Sequence, residues 1–122
     1  MKRALTEASM ARSLAREAIG SEIDYRDALK TPLEETTDPL YREVIALHNS
    51  LPPRQQKVLA RLARQGFIDG VSTVLGILDG ASGLSGYGSV DFELTLRGAK
   101  KKLNGGIQDY FLEAIELSEG LR

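Results

Sequence analysis

The stretch that decides the fold is residues 67–80, FIDGVSTVLGILDG, the longest nearly apolar run in the chain. It carries charge only at Asp69 and Asp79. Upstream of it, from Leu59, apolar and small residues recur at three- and four-residue steps, the spacing of one helix face. A helix that is apolar on nearly every side must be surrounded by other elements. We therefore expect a central helix over residues 54–78, with its second half buried.

Three glycines, at positions 66, 70 and 76, interrupt this helical pattern. Each lowers helix propensity by about 0.5 to 1 kcal/mol relative to alanine. Close approach of a neighbouring helix would offset that cost. A break into two helices near Gly66 is the competing interpretation.

Further helices are predicted on both sides of the central one. Residues 5–19 have an amphipathic pattern that Gly20 can stop, before a short second segment. Residues 31–37 are expected to form a turn, and a helix with proline at its first position should cover residues 39–49. A last helix is predicted over residues 107–120.

The segment before the last helix predicts a loop and a strand. Residues 80–89 contain four glycines and should form a loop. From Val90 to Leu96 apolar and polar residues alternate, which is typical of a strand with one buried face. Its partner would be the following segment, giving a β-hairpin at about 90–103, or a second subunit. The expected fold is α+β, mainly α: a single domain over residues 1–122, built as a helical bundle around a central helix with a small β-hairpin.

The composition is that of an ordinary globular domain. The chain has 122 residues, 42% of them hydrophobic and 27% charged, and a net charge of −1. That charge gives no overall field to attract nucleic acid or an anionic membrane. The absence of cysteine excludes disulfides and thiol chemistry. With no apolar run of signal or membrane-spanning length, we expect a cytoplasmic protein that contacts no membrane.

Charged side chains at helical spacing form two stripes. The basic stripe, a candidate partner-binding surface on the central helix, consists of Arg54, Lys57, Arg61 and Arg64. The acidic stripe on the last helix consists of Asp109, Glu113, Glu116 and Glu119. Each stripe is either a solvated face or a docking surface, the basic one for phosphate or an acidic partner. The two stripes could also pair with each other, within the fold or between subunits.

Asp69 and Asp79 are the other candidate partner-binding residues. A carboxylate within so apolar a segment must be hydrogen-bonded, paired or directed into a cleft. Asp79 lies at the end of the central helix, where a negative charge meets the unfavourable end of the helix dipole. For Asp69 two interpretations stay open: structural pairing, and contact with a partner or ligand.

No residue set in the sequence points to catalysis, a metal or a cofactor, so we expect none. His48 is the single histidine, and neither cysteine nor a His-x-x-x-His pair offers a ligand set. The glycine-rich segment 80–89 lacks the Gly-Lys-Ser/Thr ending of a phosphate-binding loop. A small enzyme or ligand carrier that uses Asp69 and His48 is kept as an alternative function.

Two resemblances bear on function. Residues 51–59, LPPRQQKVL, resemble the opening of the C-terminal helix-turn-helix of sigma factors and related response regulators. This implies a DNA-binding regulator that uses the basic helix 54–64, although the helix that follows is too apolar for a major groove, so nucleic acid is not the preferred partner. The order GFID, VLGILDG, an alternating strand and QDYFL looks like small uncharacterised bacterial proteins, some of them similar to immunity proteins of contact-dependent toxin systems.

The second resemblance implies a cytoplasmic binding protein without chemistry of its own. Our leading hypothesis is therefore a non-enzymatic bacterial interaction protein, immunity-like or homo-oligomeric. Its partner would be another protein or a second copy of the chain, and we expect a homodimer.

Overall fold

The computed structural model describes residues 4–120, and over this range the chain forms four α-helices and one short 3₁₀ turn. The helices are α1 (Glu7–Leu29), α2 (Pro39–Ser50), α3 (Pro53–Leu78) and α4 (Ile107–Gly120). The 3₁₀ turn, Leu33–Glu35, lies between α1 and α2. None of the helices in the described range combines the length and apolar character that crossing a membrane requires.

The predicted α+β class with a hairpin at 90–103 is wrong, because the described residues form no strand. One isolated antiparallel bridge joins Thr95 and Lys102. Beside it the Leu103 N–H donates to the Leu94 carbonyl at 2.7 Å, and two further backbone groups of this segment bond to a side chain. The Leu94 N–H donates to Oδ1 of Asn104 at 2.8 Å, and the Phe92 carbonyl accepts from Nδ2 of Asn104 at 2.9 Å. The alternating pattern therefore marks an extended, half-buried segment that Asn104 pairs.

Helix α1 runs through Gly20, where the sequence predicted a stop. Gly20 is exposed, and a Cβ there would meet no atom within 4 Å. The Ser21 hydroxyl donates to the Ala18 carbonyl at 2.6 Å within the same helix. One glycine lowers helix propensity by only about 1 kcal/mol, too little to end a helix whose buried face continues on both sides.

The other three helices begin and end close to the predicted positions. Asp38 caps α2 by accepting hydrogen bonds from the Leu40 and Tyr41 N–H groups. Helix α3 is continuous, so the alternative break near Gly66 does not occur. At its end Gly80 has a φ of 74°, and the Ala81 N–H donates back to the Gly76 carbonyl at 2.9 Å. This is the Schellman motif, in which glycine takes the left-handed position.

The described chain divides into two compact units. The first unit comprises residues 4–17 and 68–120, and its buried side chains include Leu75, Ile107 and Phe111. The second unit comprises residues 18–67, with Leu29, Ile45 and Ala60 among its buried side chains.

The second half of α3 is less enclosed than its apolar composition predicts. Ile68, Leu75 and Gly76 are buried. Phe67 and Val74, however, are 39% and 55% exposed. The expectation that this half of α3 is buried on all sides is therefore wrong, and only one face of it is buried. The apolar composition of a helix does not show which of its faces is covered.

Gly76 lets α3 and α4 approach closely within the first unit. Nε2 of Gln108 donates to the Ser72 carbonyl at 2.9 Å and to its hydroxyl at 3.2 Å. A Cβ at position 76 would lie 2.7 Å from the same Nε2. At Gly66 and Gly70 a Cβ would meet nothing within 4 Å. The close approach that could offset the cost of a helical glycine is therefore found only at Gly76.

Alanine substitutions at these glycines should differ in their effect on stability. Gly70→Ala should raise the free energy of unfolding by about 0.5 to 1 kcal/mol through helix propensity alone. The free energy of unfolding of Gly76→Ala should be about 1 kcal/mol lower than that of Gly70→Ala, because the Gln108 carboxamide must move away from Ser72. Urea unfolding followed by circular dichroism measures both values.

The control is the same pair of substitutions in a Gln108→Ala background. Without the carboxamide, Gly76→Ala should stabilise the protein as much as Gly70→Ala does. Equal effects of the two glycine substitutions in the wild-type background would contradict the close approach.

Candidate functional site

Burial divides the basic stripe of α3. Arg54, Lys57 and Arg61 are exposed, whereas Arg64 is buried with 4% of its surface accessible. The Nε of Arg64 lies 3.8 Å from Oε1 of Glu22 on α1. Arg64 therefore belongs to the packing of α1 against α3 in the second unit, and the exposed part of the stripe ends at Arg61.

Asp79 caps the beginning of α4. Its Oδ1 accepts from the Gly105 N–H at 2.6 Å and the Ile107 N–H at 3.3 Å, and its Oδ2 accepts from the Gln108 N–H at 2.8 Å. The end of α3 beside Asp79 has the unfavourable dipole that the sequence indicated. The dipole that the carboxylate meets is that of α4, whose N-terminal end favours a negative charge.

Two side chains that the sequence analysis did not single out complete this junction. Oε1 of Glu7 on α1 accepts from the Gly106 N–H at 2.6 Å. Nδ2 of Asn104 donates to the Leu78 carbonyl at the end of α3 at 2.5 Å. Each side chain forms a hydrogen bond with a backbone group that has no partner within its own helix, because that group lies at a helix end. The sequence signal at this junction is Asn104 followed by two glycines, a pattern that is typical of a helix start but does not identify the capping groups.

Asp69 is exposed on the part of α3 that belongs to the first unit. Its carbonyl accepts from the Thr73 hydroxyl at 2.8 Å, a bond within the helix. His48, its supposed partner in a small enzyme, belongs to the second unit. Asp69 lines neither of the two grooves described next.

The second unit carries an apolar groove of about 250 Å³ along α1, α2 and α3. Its lining includes Tyr25, Leu29, Leu40, Tyr41, Leu59 and Leu62. Two of these side chains are far from buried, since Leu40 is 65% and Leu62 is 66% exposed. Clustered exposed apolar side chains of this kind mark interaction surfaces.

A second, basic groove of about 190 Å³ lies in the same unit. Arg26, Lys30, Lys57 and His48 line it together with Pro53 and Gln56. His48 lies in the last turn of α2 and is buried. Among the described residues, no three side chains of the metal-binding types come together to hold an ion.

No family model matches the chain, and neither a curated protein nor a solved structure matches it. The resemblance to immunity-like bacterial proteins therefore stays a prediction. The helix-turn-helix resemblance lacks its structural context, because that motif needs a turn between two helices and α3 is continuous from residue 53 to 78.

Removing the Asp79 carboxylate should destabilise the protein, because three amide groups at the start of α4 lose their acceptor. We expect Asp79→Ala to lower the free energy of unfolding by about 2 kcal/mol, and Asp79→Asn, which keeps one oxygen, by about 1 kcal/mol. Urea unfolding is the measurement.

Asp91→Ala is the matched control. Asp91 is exposed in the segment between α3 and α4, so its loss should change the free energy of unfolding by less than about 0.5 kcal/mol. Equal losses at the two positions would show that the cap does not stabilise the fold.

Proposed function

We propose that the protein is a non-enzymatic interaction protein that binds a second copy of itself through the apolar groove of the second unit. The observation that carries this proposal is the exposure of Leu40 and Leu62, at 65% and 66%, beside a concave apolar lining. Covering a leucine side chain fully is worth about 1.5 to 3 kcal/mol. A partner that covers both gains a central apolar contact of the kind on which stable interfaces depend.

The surroundings of the groove give the interface a charge. Arg61 precedes Leu62 on α3 and is exposed, so the groove has a cationic flank. Val58, one turn earlier, is 54% exposed and extends the apolar surface along the same helix. An apolar centre with a charged rim is the usual anatomy of a specific protein interface. The matching partner surface would be apolar with acidic neighbours.

The outward face of α4 has these properties. Leu112 and Leu117 are 36% and 64% exposed, and Glu113 and Glu116 beside them are exposed as well. This acidic, leucine-bearing face matches the apolar lining and the cationic flank of the groove of another copy. In a two-fold dimer each copy would offer its α4 to the groove of the other, so that the contact is made twice.

Sedimentation velocity over the micromolar to millimolar range tests the proposal. The wild-type protein should dimerise, and Leu62→Asp should leave it monomeric because a buried carboxylate at the groove has no partner. Val74→Asp is the matched control, since Val74 is an exposed apolar residue of α3 outside the groove. A wild-type protein that stays monomeric throughout, or equal effects of the two aspartates, would contradict self-association through this groove.

Charge reversal tests the pairing of α4 with the groove. Arg61→Glu and Glu116→Arg should each weaken the dimer about tenfold, a change of about 1.4 kcal/mol. Mixing the two variants should restore dimerisation, because in the mixed pair both contacts again join opposite charges.

Arg97→Glu is the control for charge reversal. Arg97 is exposed in the segment before α4 and lies outside the apolar groove, so its reversal should leave the dimer constant unchanged. Failure of the mixture to dimerise would show that Arg61 and Glu116 do not face each other.

A further inference from the structure

The basic groove of the second unit brings cations from two helices to one place. Arg26 lies in the last turn of α1, and Lys30 directly follows the last residue of that helix. Lys57 reaches the groove from the first turns of α3. The lining side chains include no carboxylate. The groove therefore concentrates positive charge in a chain whose net charge is −1.

These cations are not neutralised within the described part of the chain. Among residues 4–120, Arg26, Lys30 and Lys57 form no ion pair with a carboxylate. Like charges held around one concave surface repel each other, and a bound anion removes that repulsion.

His48 adds a polar group at the buried side of the groove. Only 8% of the residue is exposed, and its Nδ1 is buried without a hydrogen-bond partner among the described residues. A proton on Nδ1 would be a buried donor with no acceptor, so the neutral ring is better protonated on Nε2. Nε2 of Gln56 donates to the His48 carbonyl at 2.9 Å, which ties α3 to this end of α2.

Helix ends of both polarities border the groove. Pro53, the first residue of α3, lines the groove. The N-terminal end of this 26-residue helix favours negative charge, but the last turns of α1 and α2, with Arg26 and His48, present C-terminal ends to the same groove. The attraction for an anion therefore comes from the cationic side chains.

We propose that the basic groove binds the phosphate group of a small phosphate monoester. Arg26, Lys30 and Lys57 would surround the dianion, and the His48 ring would donate a hydrogen bond to one of its oxygens. The groove of about 190 Å³ is smaller than the roughly 300 to 1,000 Å³ typical of pockets for drug-sized ligands, so it suits a small molecule. This site is separate from the apolar groove and does not depend on self-association.

Titration of the protein with inorganic phosphate and with glycerol phosphate, at low salt, tests the proposal. His48 is the single histidine in the chain, so its ring nitrogens give an unambiguous signal in a ¹⁵N-edited NMR spectrum. We expect this signal to shift saturably with both probes, and glycerol phosphate to bind more tightly because it uses the remaining volume. Absence of a saturable shift with either probe would overturn the proposal.

Variants distinguish specific binding of phosphate in the groove from general attraction of phosphate to a basic surface. Lys30→Gln and Lys57→Gln should each weaken binding about tenfold, since a charge-assisted hydrogen bond is worth about 1.5 to 3 kcal/mol. Arg54→Gln is the matched control, because Arg54 is an exposed cation of α3 that does not line the groove. Its affinity should equal that of the wild type.

Equal weakening by Lys57→Gln and Arg54→Gln would mean that phosphate is attracted by net charge alone, and would overturn the site. Lys30 and Lys57 are exposed, so the urea midpoint of each variant should equal that of the wild type. An unchanged midpoint verifies that the variant is folded.

Discussion

The constraint on which the first unit depends is the satisfaction of two helix ends by side chains. Asp79, just beyond α3, accepts hydrogen bonds from amides 26 to 29 residues later at the start of α4. Asn104, just before α4, donates back to the carbonyl of Leu78 at the end of α3. The charge and polarity of each side chain match the helix end that it meets. The two residues therefore tie α3 and α4 together at one junction.

This junction also explains how the segment between the two helices exists without a sheet. Buried backbone groups need partners, and in most proteins an extended segment finds them in a neighbouring strand. Here Asn104 supplies a donor to Phe92 and an acceptor to Leu94. One amide side chain thus serves the end of α3 and the extended segment at once.

The features of the second unit that bear on function are two surface grooves. Its three helical segments leave an apolar groove with two strongly exposed leucines, and a basic groove lined by three cations and His48. Both grooves are built from residues far apart in sequence, such as Leu40 with Leu62 and Arg26 with Lys57. Helical spacing identified Lys57 as part of a basic stripe, but it could not identify cations on another helix as its neighbours.

The sequence by itself determined the positions of α2, α3 and α4, because capping residues, glycine and apolar periodicity are local signals that act within a few residues. It did not determine which side of α3 is covered, that α1 passes Gly20, or that the alternating segment forms a single bridge and bonds to Asn104 instead of forming a β-hairpin. Those outcomes depend on contacts between residues that are distant in sequence. A given apolar composition or alternating pattern is compatible with more than one such set of contacts. The tertiary structure alone decided that Asp79 caps a neighbouring helix and that Arg64 is buried against Glu22, since the partner in each case lies more than 25 residues away.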